Sequence, residues 1–399
     1  MIIGIIGAGA AGMAAAIEAS RNIHNKVIVF ERQARVGRKL QATGNGRCNL
    51  SNTGAQACNY HGEQPEFVAS ALERFSVENT LSWFRELGLY TVAEQSGRVY
   101  PYSDQANSVV DILRFAIEKE NIVLHLGAEV RKIKKQNEGF MIECGELEQY
   151  CDRLIIACGG LAGTKLGGTM SGYKLLGKYG HRCTKLRPTL VQLKSDWGAL
   201  ASLKGVRTNC AIEILKNEQL HSKSAGELQF TEYGLSGPVV FEVSRDVCAT
   251  PGNWCAKIDF LPHISTEQLL KDLKDRVERG VPTSELLTGI LHNRLGRVLT
   301  QAAGLSGMVN DYGLQAVCDA VKSFVISLTE PMGMDSAQVT AGGVLTEQFD
   351  PDTMESKLVP GLYACGEVLD IDGDCGGYNL QWAWSSGRLA GCNAGKEKQ

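Results

Sequence analysis

Residues 2–31 read IIGIIGAGAAGMAAAIEASRNIHNKVIVFE. Ile2 to Ile6 is a short apolar run, the pattern of a strand buried on both faces. Gly7-Ala8-Gly9-Ala10-Ala11-Gly12 follows at once, then an Ala-rich helical stretch from Met13 to Arg21. A second apolar run, Lys26 to Phe30, ends in Glu31. Strand, glycine turn, helix, strand and acid stand in the order of a dinucleotide-binding βαβ unit. In that unit Gly7 allows the tight turn and Gly9 lets backbone N–H groups approach a diphosphate. Gly12 lets the helix lie close on the strand, and Glu31 is placed to accept hydrogen bonds from a ribose diol.

The fingerprint alone does not choose between nucleotides; the next stretch bears on that choice. Residues 32–52 read RQARVGRKLQATGNGRCNLSN, with glycines at 37, 44 and 46 and bases at 35, 38, 39 and 47. Gly44-Asn45-Gly46 favours turns over a regular helix or strand. A basic, backbone-rich loop directly after the ribose acid suits a diphosphate leading on to a flavin ring. Leu154 to Ala157 reads as another buried strand ending in Cys158-Gly159-Gly160, and Gly361 to Gly366-Glu367 repeats the strand, glycine and acid theme. That repeat runs through Asp370, Asp372 and Asp374 into Gly376-Gly377-Tyr378-Asn379-Leu380, then a helical segment from Gln381 to Gly391. The three aspartates read as a solvated acidic loop, and no calcium-loop spacing closes them. A helix starting there would present N–H groups to negative charge on a reduced flavin.

Between the two ends, Pro65 to Leu87 reads as one amphipathic helix, and Val130 to Ile133 and Phe140 to Cys144 read as strands. The stretch 190–262 is β-rich, 263–323 is helical, and Phe324 to Leu328 is a returning strand. The expected organisation is a discontinuous nucleotide domain (1–189 and 337–399), a β insertion (190–262 and 324–336) and a helical insertion (263–323).

Composition excludes other classes. With 41 basic against 44 acidic residues and a net charge of −3, no general field gathers nucleic acid or anionic lipid. Basic residues at Lys271, Lys274, Arg276, Arg279, Arg294 and Arg297 are interleaved with Asp272, Asp275 and Glu278, so no nucleic acid partner is expected. Thirteen cysteines without a CxxC pair make neither a disulfide framework nor a zinc site. No apolar run reaches membrane-span length, so no membrane partner and a reducing, cytoplasmic setting are expected. No CxxxxC redox pair and no second complete fingerprint are present, which disfavours a disulfide reductase and a dedicated NAD(P)H domain. Oligomeric state is not legible.

The sequence resembles the BaiN/YhiN-type flavoproteins, a group that includes aminoacetone oxidase-like enzymes. The resemblance rests on GAGAAG at 7–12, GRKLQATGNGRCNLSN at 37–52, GRVYPYSDQANSVVDIL at 97–113 and IIACGG at 155–160. It continues in GELQFTEYGLSGP at 226–238 and GLYACGEVLDIDGDCGGYNLQWAWSSG at 361–387. It implies an α/β fold: a glutathione-reductase-like FAD-binding Rossmann domain with an inserted β-rich, barrel-like domain and a small helical domain. It also implies non-covalent FAD, with Gly7, Gly9, Ala10 and Ala11 at the pyrophosphate and Glu31 and Arg32 at the adenosine ribose. Lys39, Thr43, Gly44, Asn45, Gly46 and Cys48 follow along the flavin, and Val130 reads adenine through its backbone. Gly366, Glu367, Tyr378, Asn379 and Leu380 complete the site.

The activity so implied is an FAD-dependent oxidoreductase on a small or sterol-like substrate, reducing a conjugated carbon–carbon double bond with NAD(P)H as a transient donor. An amine oxidase using oxygen and an RNA-modifying flavoprotein are the alternatives. The catalytic acid is not legible, and Cys48 reads as a packing residue.

Overall fold

The structure is a computed structural model that describes residues 1–119, 121–305 and 310–397. The chain forms two compact units, Met1–Arg187 with Val339–Gln399, and Pro188–Gln338.

In the first unit the Ile2–Ile6 run is the central strand of a five-stranded parallel sheet. The strand order is Leu362–Ala364, Arg153–Ile156, Ile2–Ile6, Lys26–Glu31, Ile122–Leu126. Ile3 and Ile5 are fully buried, as a strand covered on both faces requires. Ile6 pairs with Phe30 on one side and Ile156 on the other, and Ile156 pairs with Ala364. These registers bring the carboxyl ends of four strands to one edge, where open parallel sheets take their ligands. The C-terminal strand thus joins the N-terminal fingerprint across almost the whole chain.

Two helices cross beside this edge, Ala10–Ala19 and Tyr378–Ala394. A side-chain carbon on Gly387 would overlap the carbonyl of Ala11, and one on Gly391 that of Ala15. Small residues at four-residue spacing therefore let the two backbones touch.

Several local expectations change. The 65–87 stretch is broken: Val68–Arg74 and Val77–Glu86 are separate helices, because the Ser76 side chain accepts from Asn79 N–H and caps the second. Val130 is buried in the connection before the Lys132–Gln136 strand rather than within a strand. The C-terminal helix begins at Tyr378, three residues before the expected Gln381, because Gly377 (φ 102°) turns the chain there. Asp370 and Asp372 are buried, not solvated. Their segment folds inward, where Asp372 and Gly373 pair with His61 and Tyr60.

The second unit holds a six-stranded antiparallel sheet, in the order Leu193–Lys194, Gly234–Ser236, Gln219–Phe230, Arg207–Lys216, Trp254–Asp259, Phe324–Leu328. Backbone bonds from Thr329 N–H to Lys194 O and from Lys194 N–H to Glu330 O connect the two edges, so the sheet is nearly a barrel. The β-rich region also contains a helix, Pro238–Ala249, opened by Pro238 at its first position. Helices Thr266–Glu278, Asn293–Ala302 and Asp311–Lys322 follow. Their Leu269, Leu273, Leu295 and Val317 share one buried core with Ile212, Leu228 and Ile258 of the strands. Among the described residues no helix is long and apolar enough to cross a membrane.

Candidate functional site

The three fingerprint glycines have different surroundings. Gly7 has φ 106°, and a side-chain carbon on it would overlap Ala157 O. A side-chain carbon on Gly12 would overlap Gly7 O, so this glycine seats the helix on the turn. A carbon on Gly9 would meet no heavy atom within 4 Å. The space over Gly9 is open, at the N-terminus of a ten-residue helix without a side-chain cap or an acid in its first turn. Unfilled N–H groups and the positive helix end there accept an anion.

Glu31 is buried and stands at the end of its strand. Its Oε2 accepts from Ala8 N–H at 2.8 Å and its Oε1 from Gln33 N–H at 2.7 Å. The carboxylate thus ties the glycine turn to the second strand, and each oxygen keeps a further lone pair for a hydroxyl. Arg32 is engaged elsewhere: its guanidinium donates to Gly167 O at 2.8 Å and Gly168 O at 3.3 Å, holding that loop. Gly127 N–H and Ala128 N–H bond to Gln33 O and Glu31 O, which sets the segment leading to Val130 beside the same strand end.

Lys39 lies on a short helix, Arg38–Ala42, and its Nζ pairs with Glu367 Oε2 at 2.7 Å. Glu367 Oε1 accepts from Thr340 N–H at 2.9 Å, and Thr340 Oγ1 accepts from Ala162 N–H. Gly366 N–H donates to Ser386 Oγ, and Gly366 O accepts from the Trp382 indole N–H, so the C-terminal strand end is pinned to the C-terminal helix. Trp382 and Ser386 lie in the 361–387 stretch that carries the resemblance, but the sequence singles out neither them nor Thr340 as site residues.

The Thr43–Cys48 loop is left-handed at Gly44 (φ 57°), Asn45 (φ 57°), Gly46 (φ 86°) and Cys48 (φ 63°). Two non-glycine residues in that region signal strain held by surrounding contacts. Arg47 supplies one: its guanidinium bonds Asp104 and Glu94 and lies 3.9 Å from the Tyr100 ring centroid. Thr43 donates to Leu40 O at 2.7 Å. Burial pushes the Cys48 thiol up to about 12, so it is protonated at neutral pH. That state suits packing, not nucleophilic attack.

The N-terminus of the C-terminal helix faces a loop, 373–377, held from several sides. Asn379 accepts from Gly373 N–H at 2.8 Å and donates to the carbonyls of Gly373 and Asp374. Tyr60 OH donates to Tyr378 O at 3.1 Å. Asn52 donates to Gly376 O at 3.0 Å. His61 Nε2 lies 2.7 Å from Asp374 Oδ1, while Asp374 Oδ2 accepts from Asn59 Nδ2. Sequence spacing could not find this pair: its members are 313 residues apart and meet through a two-residue strand pairing. Asn379 therefore shapes the loop with its side chain, while Leu380 stays partly exposed in the first turn.

The site thus combines an open helix N-terminus, a carboxylate at the next strand end and a second uncapped helix. This donor set fits an extended dinucleotide of the FAD type.

Comparison with known proteins agrees with this architecture. The family model described as HI0933-like protein Rossmann domain matches residues 1–393. A 3-dehydro-bile acid delta(4,6)-reductase of Clostridium scindens is 38% identical over 400 residues, 98% of each chain. A ribosomal RNA dihydrouridine synthase of Escherichia coli is 32% identical over 393 residues, 96% of this chain and 95% of that one. A 3-ketosteroid delta1-dehydrogenase structure from Sterolibacterium denitrificans covers 98% of this chain and 99% of its own, at 13% identity and TM-score 0.51, a likeness of fold. Matched along nearly its whole length by the family model and by relatives above 30% identity, the chain belongs to the HI0933-like Rossmann family of FAD-dependent oxidoreductases.

Proposed function

We propose that the chain is an FAD-dependent reductase of a carbon–carbon double bond conjugated to a carbonyl, on a small or sterol-like substrate, with NAD(P)H as a transient electron donor. One observation carries the reading: two relatives whose names specify different substrates perform one kind of chemistry. A double bond beside a 3-oxo group in a steroid and the uracil double bond lost in dihydrouridine are both conjugated to C=O. Hydride addition at the far carbon and protonation at the near one saturate either.

In this reading the open N-terminus at Gly9, Ala10 and Ala11 holds the diphosphate, and Glu31 accepts from the adenosine ribose. Arg32 and Asn379 act by shaping loops, as their backbone partners indicate. The 43–48 turn and the Gly376–Leu380 segment flank the flavin, and Lys39 and Glu367 set the loop between them. FAD, when bound and reduced, supplies the hydride. The chain supplies binding, orientation and the proton.

Uridine in RNA is the second reading, favoured by two dihydrouridine synthases (32% and 30% identical) that align over 95% of their own length. The cationic face that the sequence offers for RNA is largely engaged within the fold. Arg276 donates to the carbonyls of Leu286 and Thr288, and Arg294 to those of Ser202 and Lys204. Lys274 pairs with Asp311 and Arg297 with Glu285.

One experiment tests both. The bound flavin is bleached by NADPH under nitrogen, then mixed with 4-androstene-3,17-dione or with a uridine-containing RNA hairpin. Colour return with the steroid supports the small-molecule reading, and colour return with the RNA alone supports the second. Failure of NADPH to bleach the flavin overturns the donor assignment. Failure of both acceptors overturns the reductase.

A further inference from the structure

Saturating a conjugated double bond needs a proton as well as a hydride, and no sequence motif names its source. Seven histidines are present in the chain. His61 is the one with an ion-pair contact to a carboxylate among the described residues, Nε2 to Asp374 Oδ1 at 2.7 Å. Both side chains are partly open to solvent, 34% and 26% exposed. The pair meets where the Tyr60–His61 strand runs beside Asp372–Gly373, directly before the loop at the N-terminus of the C-terminal helix.

The partners of Asp374 fix its place. Its backbone N–H donates to Asn59 O at 3.0 Å, and its Oδ2 accepts from Asn59 Nδ2 at 3.1 Å. Its carbonyl accepts from Asn379, the second residue of the C-terminal helix. The backbone of Asp374 is therefore held from two elements, Asn59 fixes Oδ2, and Oδ1 meets the imidazole. His61 stands beside Tyr60, whose hydroxyl reaches the first residue of the same helix. A carboxylate accepting from Nε2–H orients the ring, and in the doubly protonated imidazole Nδ1–H, without a partner among the described residues, is the group that can give up a proton.

We propose that His61, oriented by Asp374, is the proton donor of the reduction; this rests on the reductase reading above. The electrons and atoms balance as follows. The hydride forms a C–H bond at the carbon β to the carbonyl, with both electrons coming from reduced FAD. The double-bond pair shifts toward the carbonyl and is recovered at the α carbon, which bonds the proton released by His61 Nδ1. The imidazolium becomes neutral imidazole and is reprotonated by a proton from the buffered solvent, the one proton that the net reaction consumes. Asp374 is a positioning residue.

The test separates the half-reactions in His61→Ala, His61→Gln and Asp374→Asn proteins loaded with FAD. The rate of bleaching by NADPH is measured for each variant and serves as the reference against which its reoxidation is compared. Reoxidation by the acceptor that works on wild type, the steroid enone or the RNA, should slow by about 10²- to 10⁴-fold in both His61 variants. Added imidazole should restore part of the rate in His61→Ala and none in His61→Gln, where the cavity is filled. Asp374→Asn should lower the rate of reoxidation with little change in acceptor half-saturation. Apart from turnover, the ¹⁵N resonances of His61 should move when the saturated ketone 5β-androstane-3,17-dione is added, and less so in Asp374→Asn. His61 variants reoxidised within threefold of wild type overturn the proposal alone. Wild-type flavin that neither acceptor reoxidises overturns the reductase reading beneath it.

Discussion

The glycines of the first turn carry separable duties that a consensus pattern merges. Gly12 has no room for a side chain because Gly7 O occupies the place, whereas Gly9 faces open space. Gly12→Ala should destabilise the fold by about 3 kcal/mol, the scale of overpacking a closed contact. Gly9→Ala, at φ −82°, should leave the stability of the FAD-free protein within about 0.5 kcal/mol. It should nonetheless weaken FAD retention at least tenfold, since the methyl enters the space the diphosphate needs. Thermal melts with and without FAD, beside flavin absorbance after gel filtration, distinguish the two variants. A Gly9→Ala protein as yellow as wild type contradicts the diphosphate assignment.

At the scale of elements, the first unit is held by contacts between its two chain ends. The Ala10–Ala19 and Tyr378–Ala394 helices touch along small residues, and a buried ion pair joins Glu18 to Arg388 at 2.9 Å. Burial draws the Arg388 guanidinium below its ordinary value, and the rings of Phe75 and Trp83 lie over it. A polar network fixes the same helix. Gln381 accepts from Ser51 Oγ and donates to Thr80 and Ser385. Another junction gives a pH dependence. His181 is buried, stacked on Phe349, with Nδ1 at Leu176 O and Nε2 at Ser356 Oγ. Burial holds its imidazole below the ordinary value, so the unfolded chain takes up the proton first as pH falls. Stability from this group is complete above its ordinary value near 6.5 and declines as pH drops through it. Wild-type Tm should therefore fall between pH 7.5 and 5.5 by more than that of His181→Gln. An equal fall in both would place the acid sensitivity elsewhere.

On the scale of the molecule, the chain leaves the first unit after Arg187 and returns to it at Val339. The intervening strands and helices bury one set of apolar side chains. We therefore propose that residues 188–338 fold as one domain, in place of separate β and helical insertions. Produced alone, this segment should unfold in urea as a single transition seen alike by far-ultraviolet circular dichroism and tryptophan fluorescence. Two separated transitions would instead favour independent insertions.

Sequence alone determined what depends on neighbours along the chain. The Ile2–Ile6 and Lys26–Glu31 strands, the helix between them and the helical 265–322 region follow from apolar period and glycine placement, which are local properties. Glu31 at the strand end was legible for the same reason. Only the tertiary structure decided that Asp370 and Asp372 turn inward, that Ser76 divides a helix, and that Arg32 serves a loop. It alone brought His61 to Asp374. Such pairings are set by which backbones close on one another, and the free energy that selects them comes from burial summed over the whole unit, which no short stretch of residues contains.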